Sequence, residues 1–187
     1  FLNPAVEAIY EPGSVFKVIT MAAGIDAGKV APETTFSDVG SLTLDGRTIR
    51  NWDGKAHGTV TMAEVLEQSL NTGAAFAERL MGHETFLRYL EQFGIETKTG
   101  IGLPGEVTGS LASLREGARD VNFATASFGQ GVAVTPVRLI SMVAALGNGG
   151  LLMRPYVRAD ETPQPVRRVV SPETAQTVTN MMVGAVD

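Results

Sequence analysis

Two stretches of the chain are apolar on nearly every side. Val15, Phe16, Val18, Ile19, Met21, Ala22, Ala23 and Ile25 follow one another almost without a polar break. An apolar run that wraps a whole helix predicts a buried one, opening at Ser14 and reaching Ala27. Val137 to Leu146, introduced by Thr135-Pro136, predicts a second buried helix that ends in Gly147-Asn148-Gly149-Gly150. Other segments are one-sided. Glu84 to Phe93 places Phe86, Leu87, Leu90 and Phe93 on one face and stops at Gly94. Thr61-Met62-Ala63-Glu64 is a capping box that opens a short helix to Gln68. After Asn71 a further helical pattern runs through Ala74, Phe76, Ala77 and Leu80 to Met81, with Gly82 as its stop.

Alternation with period two is rarer. Ser41-Leu42-Thr43-Leu44 and Arg47-Thr48-Ile49 read as a hairpin around Asp45-Gly46. Leu151 to Val157 and Arg167 to Val170 read as short strands across a Pro-rich loop. Ser171-Pro172 opens a last helix whose Val178, Met181, Met182 and Val183 are read as core. Residues 95 to 123, rich in Gly, Pro and Thr, are expected to be extended loops, and Phe128-Gly129-Gln130-Gly131 a flexible turn.

Composition narrows the function classes. With 44% hydrophobic and 19% charged residues in 187, the chain can build a real core. A net charge of −5 without a basic stripe argues against nucleic-acid binding. The absence of cysteine excludes disulfides and thiolate metal sites. His57 and His83 have no partner at metal or triad spacing, so both are read as structural, and neither metal nor cofactor is expected. Trp52 is expected to pack its loop down.

Chemistry enters at Ser14. As a plain helix cap it calls for Glu or Gln three residues on, yet Lys17 stands there. A cation in the first turn of a buried helix is opposed by the helix dipole and by desolvation. Residues three apart on a helix are neighbours, so the lysine nitrogen can reach the serine oxygen. Burial can bring a lysine pKa down by several units, which makes Ser14 a nucleophile candidate and Lys17 its base. Ser69 and Asn71, at the junction of two helices, are caps or companions of that pair.

With these four residues, the sequence resembles the penicillin-binding proteins, whose motif set includes Ser-x-x-Lys. Tyr10-Glu11-Pro12-Gly13-Ser14-Val15-Phe16-Lys17 is similar to the family's first motif and Ser69-Leu70-Asn71 to its second. The likeness continues from Gly94 to Glu106, through Gly129-Gln130-Gly131, and through Thr135-Pro136, and is nearest to the monofunctional, class B type. It implies a D,D-transpeptidase of peptidoglycan, acylated at Ser14 by stem peptides ending in D-Ala-D-Ala and by β-lactams. Lys17 would take the serine proton, Ser69 would relay it, and Asn71 would bind the substrate amide and help orient Lys17. The family's setting is the extracytoplasmic face of the bacterial membrane.

One departure bears on fold and activity. The family's third motif, Lys-Thr/Ser-Gly, is expected after the last helix, and the chain stops at Asp187. Lys98-Thr99-Gly100 lies mid-chain and is read as non-catalytic. Phe1 and Asp187 therefore read as cuts in a longer, membrane-anchored parent. Residues 1–187 are expected to be a partial transpeptidase domain of α+β class, mainly its helical part, with an incomplete central sheet, exposed apolar surface, a tendency to self-associate and little activity alone. A β-lactamase or β-lactam sensor of the same superfamily, or a non-catalytic binding module, are the competing readings.

Overall fold

The computed structural model describes residues 2–185. It is an α+β fold in which eight helices dominate and the strands form three separate two-stranded antiparallel sheets among the described residues. No central sheet unites them, in keeping with the expected class. A first short helix, α1 (Pro4–Glu7), is capped by Asn3. A 3-10 turn, Gly13–Phe16, then runs directly into α2 (Lys17–Asp26). As its composition predicts, α2 is enclosed: Ile19, Met21, Ala22 and Ala23 are fully buried.

Strands β1 (Thr35–Asp38), β2 (Ser41–Leu44), β3 (Arg47–Arg50) and β4 (Gly58–Thr61) follow. β2 and β3 form the predicted hairpin, with Asp45 and Gly46 both at positive φ in its two-residue turn. The β1–β4 pair has no counterpart in the sequence reading, because its partners lie far apart in the chain and carry little alternation. The capping box of Thr61 and Glu64 opens α3 (Met62–Glu67), and α4 (Asn71–Met81) ends at Gly82 as anticipated. α5 (His83–Gln92) buries Phe86, Tyr89 and Leu90.

Residues 95–123 are not all loop. A 3-10 turn at Ala112–Leu114 precedes α6 (Asp120–Ala126). The α6 N-terminus is satisfied from afar, since Asp45 of the hairpin turn accepts the Val121 N–H at 3.0 Å. α7 (Pro136–Gly147) is capped by Thr135 as expected. It is not buried all round: Met142, Ala145 and Leu146 face the core while Ile140 is 68% exposed. β5 (Leu151–Arg154) pairs with β6 (Gln164–Arg168), which starts earlier than the sequence suggests and takes Pro165 into a two-stranded sheet with a register shift. In α8 (Pro172–Gly184) Val178 and Met181 are core, but Val183 is 55% exposed.

The core gathers on α2, which packs against α3, α4, α5, α7 and α8. A second, polar centre organises the 38–57 loops. Asp38, 2% exposed, accepts from Gly40 N at 2.9 Å, Asn51 Nδ2 at 2.8 Å, His57 N at 3.1 Å and Thr72 Oγ1 at 2.8 Å. Asn51 in turn accepts the Thr72 N–H at 3.2 Å. The Asp38 side chain is thus buried and held by donors, and it enters no ion pair among the described residues. Asp38→Ala strands these donors and is expected to destabilise the fold by about 3 kcal/mol, with Asp38→Asn costing less. Urea unfolding of both variants measures the difference.

Candidate active site

The 3-10 turn and first helical residue put Ser14 and Lys17 on one side of the chain. Lys17 Nζ lies 3.1 Å from Ser14 Oγ, 2.9 Å from Ser69 Oγ and 2.6 Å from the Ser69 carbonyl oxygen. An ammonium has three donors, and here each has an acceptor. A neutral amine fits as well: it donates to the two Ser69 oxygens and turns its lone pair to the Ser14 hydroxyl. Lys17 is only 1% exposed and enters no ion pair among the described residues. Burial accordingly lowers its pKa from 10.5 to about 8. Roughly a tenth of the lysine is neutral at pH 7, which is a usable fraction of base.

Ser69 reaches this geometry at φ +55°, a left-handed conformation that a serine adopts at some cost. The turn bringing it there leaves α3 through hydrogen bonds from Ser69 N to Leu66 O and from Leu70 N to Val65 O. Asn71, first residue of α4, donates from Nδ2 to the Arg50 carbonyl at 2.8 Å. Lys17 spends all its hydrogen bonds on Ser14 and Ser69, and Asn71 instead lines a cleft with β3 and Gln130. Ser14, Lys17 and Ser69 also line a mainly apolar recess of about 220 Å³ with Val18, Leu66, Met182 and Ala185.

The support behind Ser14 comes from the segment whose sequence reads as a flexible turn. Gly13 donates its N–H to the Gly129 carbonyl at 3.1 Å, and Glu11 Oε1 accepts the Gly131 N–H at 2.8 Å. Tyr10 and Val134 exchange two backbone hydrogen bonds at 3.0 Å each. Gly129 sits at φ +80°, and a Cβ there would lie 2.2 Å from the Gly13 oxygen. The two glycines flanking Gln130 are the signal in the sequence for this close approach.

Other candidates lie elsewhere. Thr99 donates both N–H and Oγ1 to buried Glu106 at 2.5 Å, and Gly100 packs near Arg154, so Lys98-Thr99-Gly100 is built into a separate structural turn. His57 meets Asp53 at 3.1 Å, and His83 stacks on Phe123 with ring centroids 3.9 Å apart. Trp52 does not pack down. It stays 75% exposed because its indole N–H is held by the Gln68 carbonyl at 3.0 Å, on the surface beside Ser69.

Comparison with known proteins establishes the family of the chain. The family model of the penicillin binding protein transpeptidase domain matches residues 1–187. The chain is 38% identical to Stage V sporulation protein D of Bacillus subtilis, over 94% of this chain and 29% of that protein. It is 32% identical to the peptidoglycan D,D-transpeptidase PbpA of Mycolicibacterium smegmatis, over 98% of this chain and 40% of that protein. Among solved structures, penicillin binding protein 3 of Mycobacterium tuberculosis in complex with aztreonam superposes with a TM-score of 0.86 at 31% identity, covering 99% of this chain and 43% of that one. The chain belongs to the penicillin-binding protein transpeptidase domain family, and it spans under half the length of each of these relatives.

Gly129→Ala forces a side chain against the Gly13 backbone at a φ that alanine resists. It is expected to lower stability by about 2 kcal/mol, read as a lower midpoint in thermal unfolding.

Proposed function

We propose that the chain carries the nucleophile side of a serine D,D-transpeptidase that cross-links peptidoglycan, and that Ser14 is the residue acylated. The observation that carries this reading is the Lys17 amine, with its pKa near 8, held 3.1 Å from Ser14 Oγ. Ser14 Oγ attacks the carbonyl between two terminal D-alanines of a stem peptide, and its proton passes to Lys17. The C–N bond then breaks, and the departing D-alanine amine takes a proton returned through Lys17 and the Ser69 hydroxyl, which is 2.9 Å from Nζ. A second stem peptide's amine attacks the ester, forming the cross-link and restoring the Ser14 hydroxyl.

Two further groups fit the bound peptide. Ser14 N–H enters no hydrogen bond among the described residues and can donate to the developing oxyanion. Asn71 uses Nδ2 on Arg50, leaving Oδ1 to accept a substrate amide N–H. β-Lactams would acylate the same serine, and the substrate places the reaction at the extracytoplasmic face of a bacterial membrane. The third side of the site, a strand carrying Lys-Thr/Ser-Gly, is expected from a longer parent. Losing one oxyanion donor costs about 10²–10³ in rate, so residues 1–187 alone are expected to be nearly inactive.

Fluorescent penicillin tests this in the natural full-length protein. Labelling at Ser14, abolished by Ser14→Ala, is the expected result, and labelling that survives the substitution overturns it. Because the neutral amine is the base, acylation should rise about tenfold per pH unit below pH 8 and level off above it. Stopped-flow acylation from pH 5.5 to 9.5 checks the profile, and a rate that falls as pH rises would contradict the role of Lys17.

A further inference from the structure

We infer that the open edge of β3 is the seat of the second, amine-bearing peptide, bound as an extended strand with its carboxylates on Arg47 and Arg50. The inference rests on the transpeptidase reading, whose chemistry needs two peptides. β3 pairs with β2 on one side only. Two hydrogen bonds fix which backbone groups look outward. Asn51 N–H turns inward to Gly40 O at 3.3 Å, whereas the Arg50 carbonyl turns outward to Asn71. Backbone direction alternates along a strand, so the Thr48 N–H, the Thr48 carbonyl and the Arg50 N–H face outward too. None of these three has a hydrogen-bond partner among the described residues. A half-built ladder of this kind is completed by an added strand.

The edge faces a cleft of about 320 Å³ whose other wall is Val121, Phe128 and Gln130, with Asn71 at one end. Asn71 is the link to Ser14, because Ser69, two residues before it, is hydrogen-bonded to Lys17. A peptide in this cleft therefore approaches the nucleophile past Asn71 rather than through the Met182 recess. The charges select its class. Arg47 and Arg50 are exposed and enter no ion pair among the described residues, and no acidic side chain lines the cleft. The occupant this combination suits is an extended peptide with carboxylates, which is the chemistry of a stem peptide awaiting cross-linking. A neutral or basic peptide would find the backbone edge without a partner for either guanidinium.

The test uses the natural full-length protein and a labelled tetrapeptide carrying two carboxylates and one free primary amine, followed by fluorescence anisotropy. Saturable binding that weakens at least tenfold in the double variant R47E/R50E, and with rising salt, is expected. Thr48→Pro removes an outward N–H at an edge position where proline is tolerated, and should weaken binding at least threefold. Binding of equal strength in R47E/R50E and in the unaltered protein overturns the inference. So does an edge occupied by a second copy of the chain, seen as a dimer in sedimentation that Thr48→Pro dissolves. Penicillin labelling of the unaltered protein, run in parallel, separates the two ideas: its absence sinks the transpeptidase reading, while its presence with undiminished peptide binding in both variants sinks only the β3 site.

Discussion

A primary amine held out of water, with no counter-ion among the described residues, is the constraint on which the rest of this molecule turns. Among the described residues Lys17 has no carboxylate beside it, so its charge is opposed by burial, and a pKa near 8 corresponds to about 3 kcal/mol of disfavoured ammonium at ~1.36 kcal/mol per unit. Only close packing can maintain such a state. Lys17 is itself only 1% exposed on the enclosed helix α2, and Ser69 closes over the nitrogen with two oxygens. Loosening any of these would let water in and return the amine to a permanently protonated, unreactive condition.

The surrounding architecture acts as a brace on both sides of that amine. On one side the Glu11–Gly131 and Gly13–Gly129 hydrogen bonds hold the loop that presents Ser14. On the other, the Asp38 network grips Thr72 and the Arg50 carbonyl grips Asn71, so the start of α4 is fixed directly after Ser69. Apart from the Glu11 carboxylate, both braces are made of backbone and short polar side chains, which have few rotamers to lose and hold position closely. The apolar surface left open by this helical half is dispersed among different helices: Val15, Ile140 and Val183 are each more than half exposed.

Local rules carry the sequence reading a long way, and several of its failures share one cause. The missing glutamate three residues after Ser14 points to Lys17, and the Thr61-Glu64 capping box, Gly82 and the Asp45-Gly46 turn place their elements, since each depends on neighbours within four residues. Long-range hydrogen bonds are invisible to such rules. The Val121 N–H at the start of α6 finds its partner in Asp45, 76 residues earlier, and locally Asn122 Oδ1 accepts the Arg119 N–H with no Ser, Thr or Asp at the cap position itself. Three of the four donors to Asp38 come from Asn51, His57 and Thr72, at least 13 residues away, and leave no mark in the sequence around it. Gly129 is legible as a turn but not as the backing of Ser14, because its partner Gly13 is far away in the chain.

The left-handed backbone of Ser69 has a consequence for how this domain can change. Glycine, or asparagine, would relax that φ, so a purely energetic search for a steadier fold favours replacing Ser69. Either replacement removes the hydroxyl that faces Lys17. Stability and the proposed chemistry therefore pull in opposite directions at one residue, and selection for heat resistance alone leads to a well-folded protein without the hydroxyl that faces Lys17.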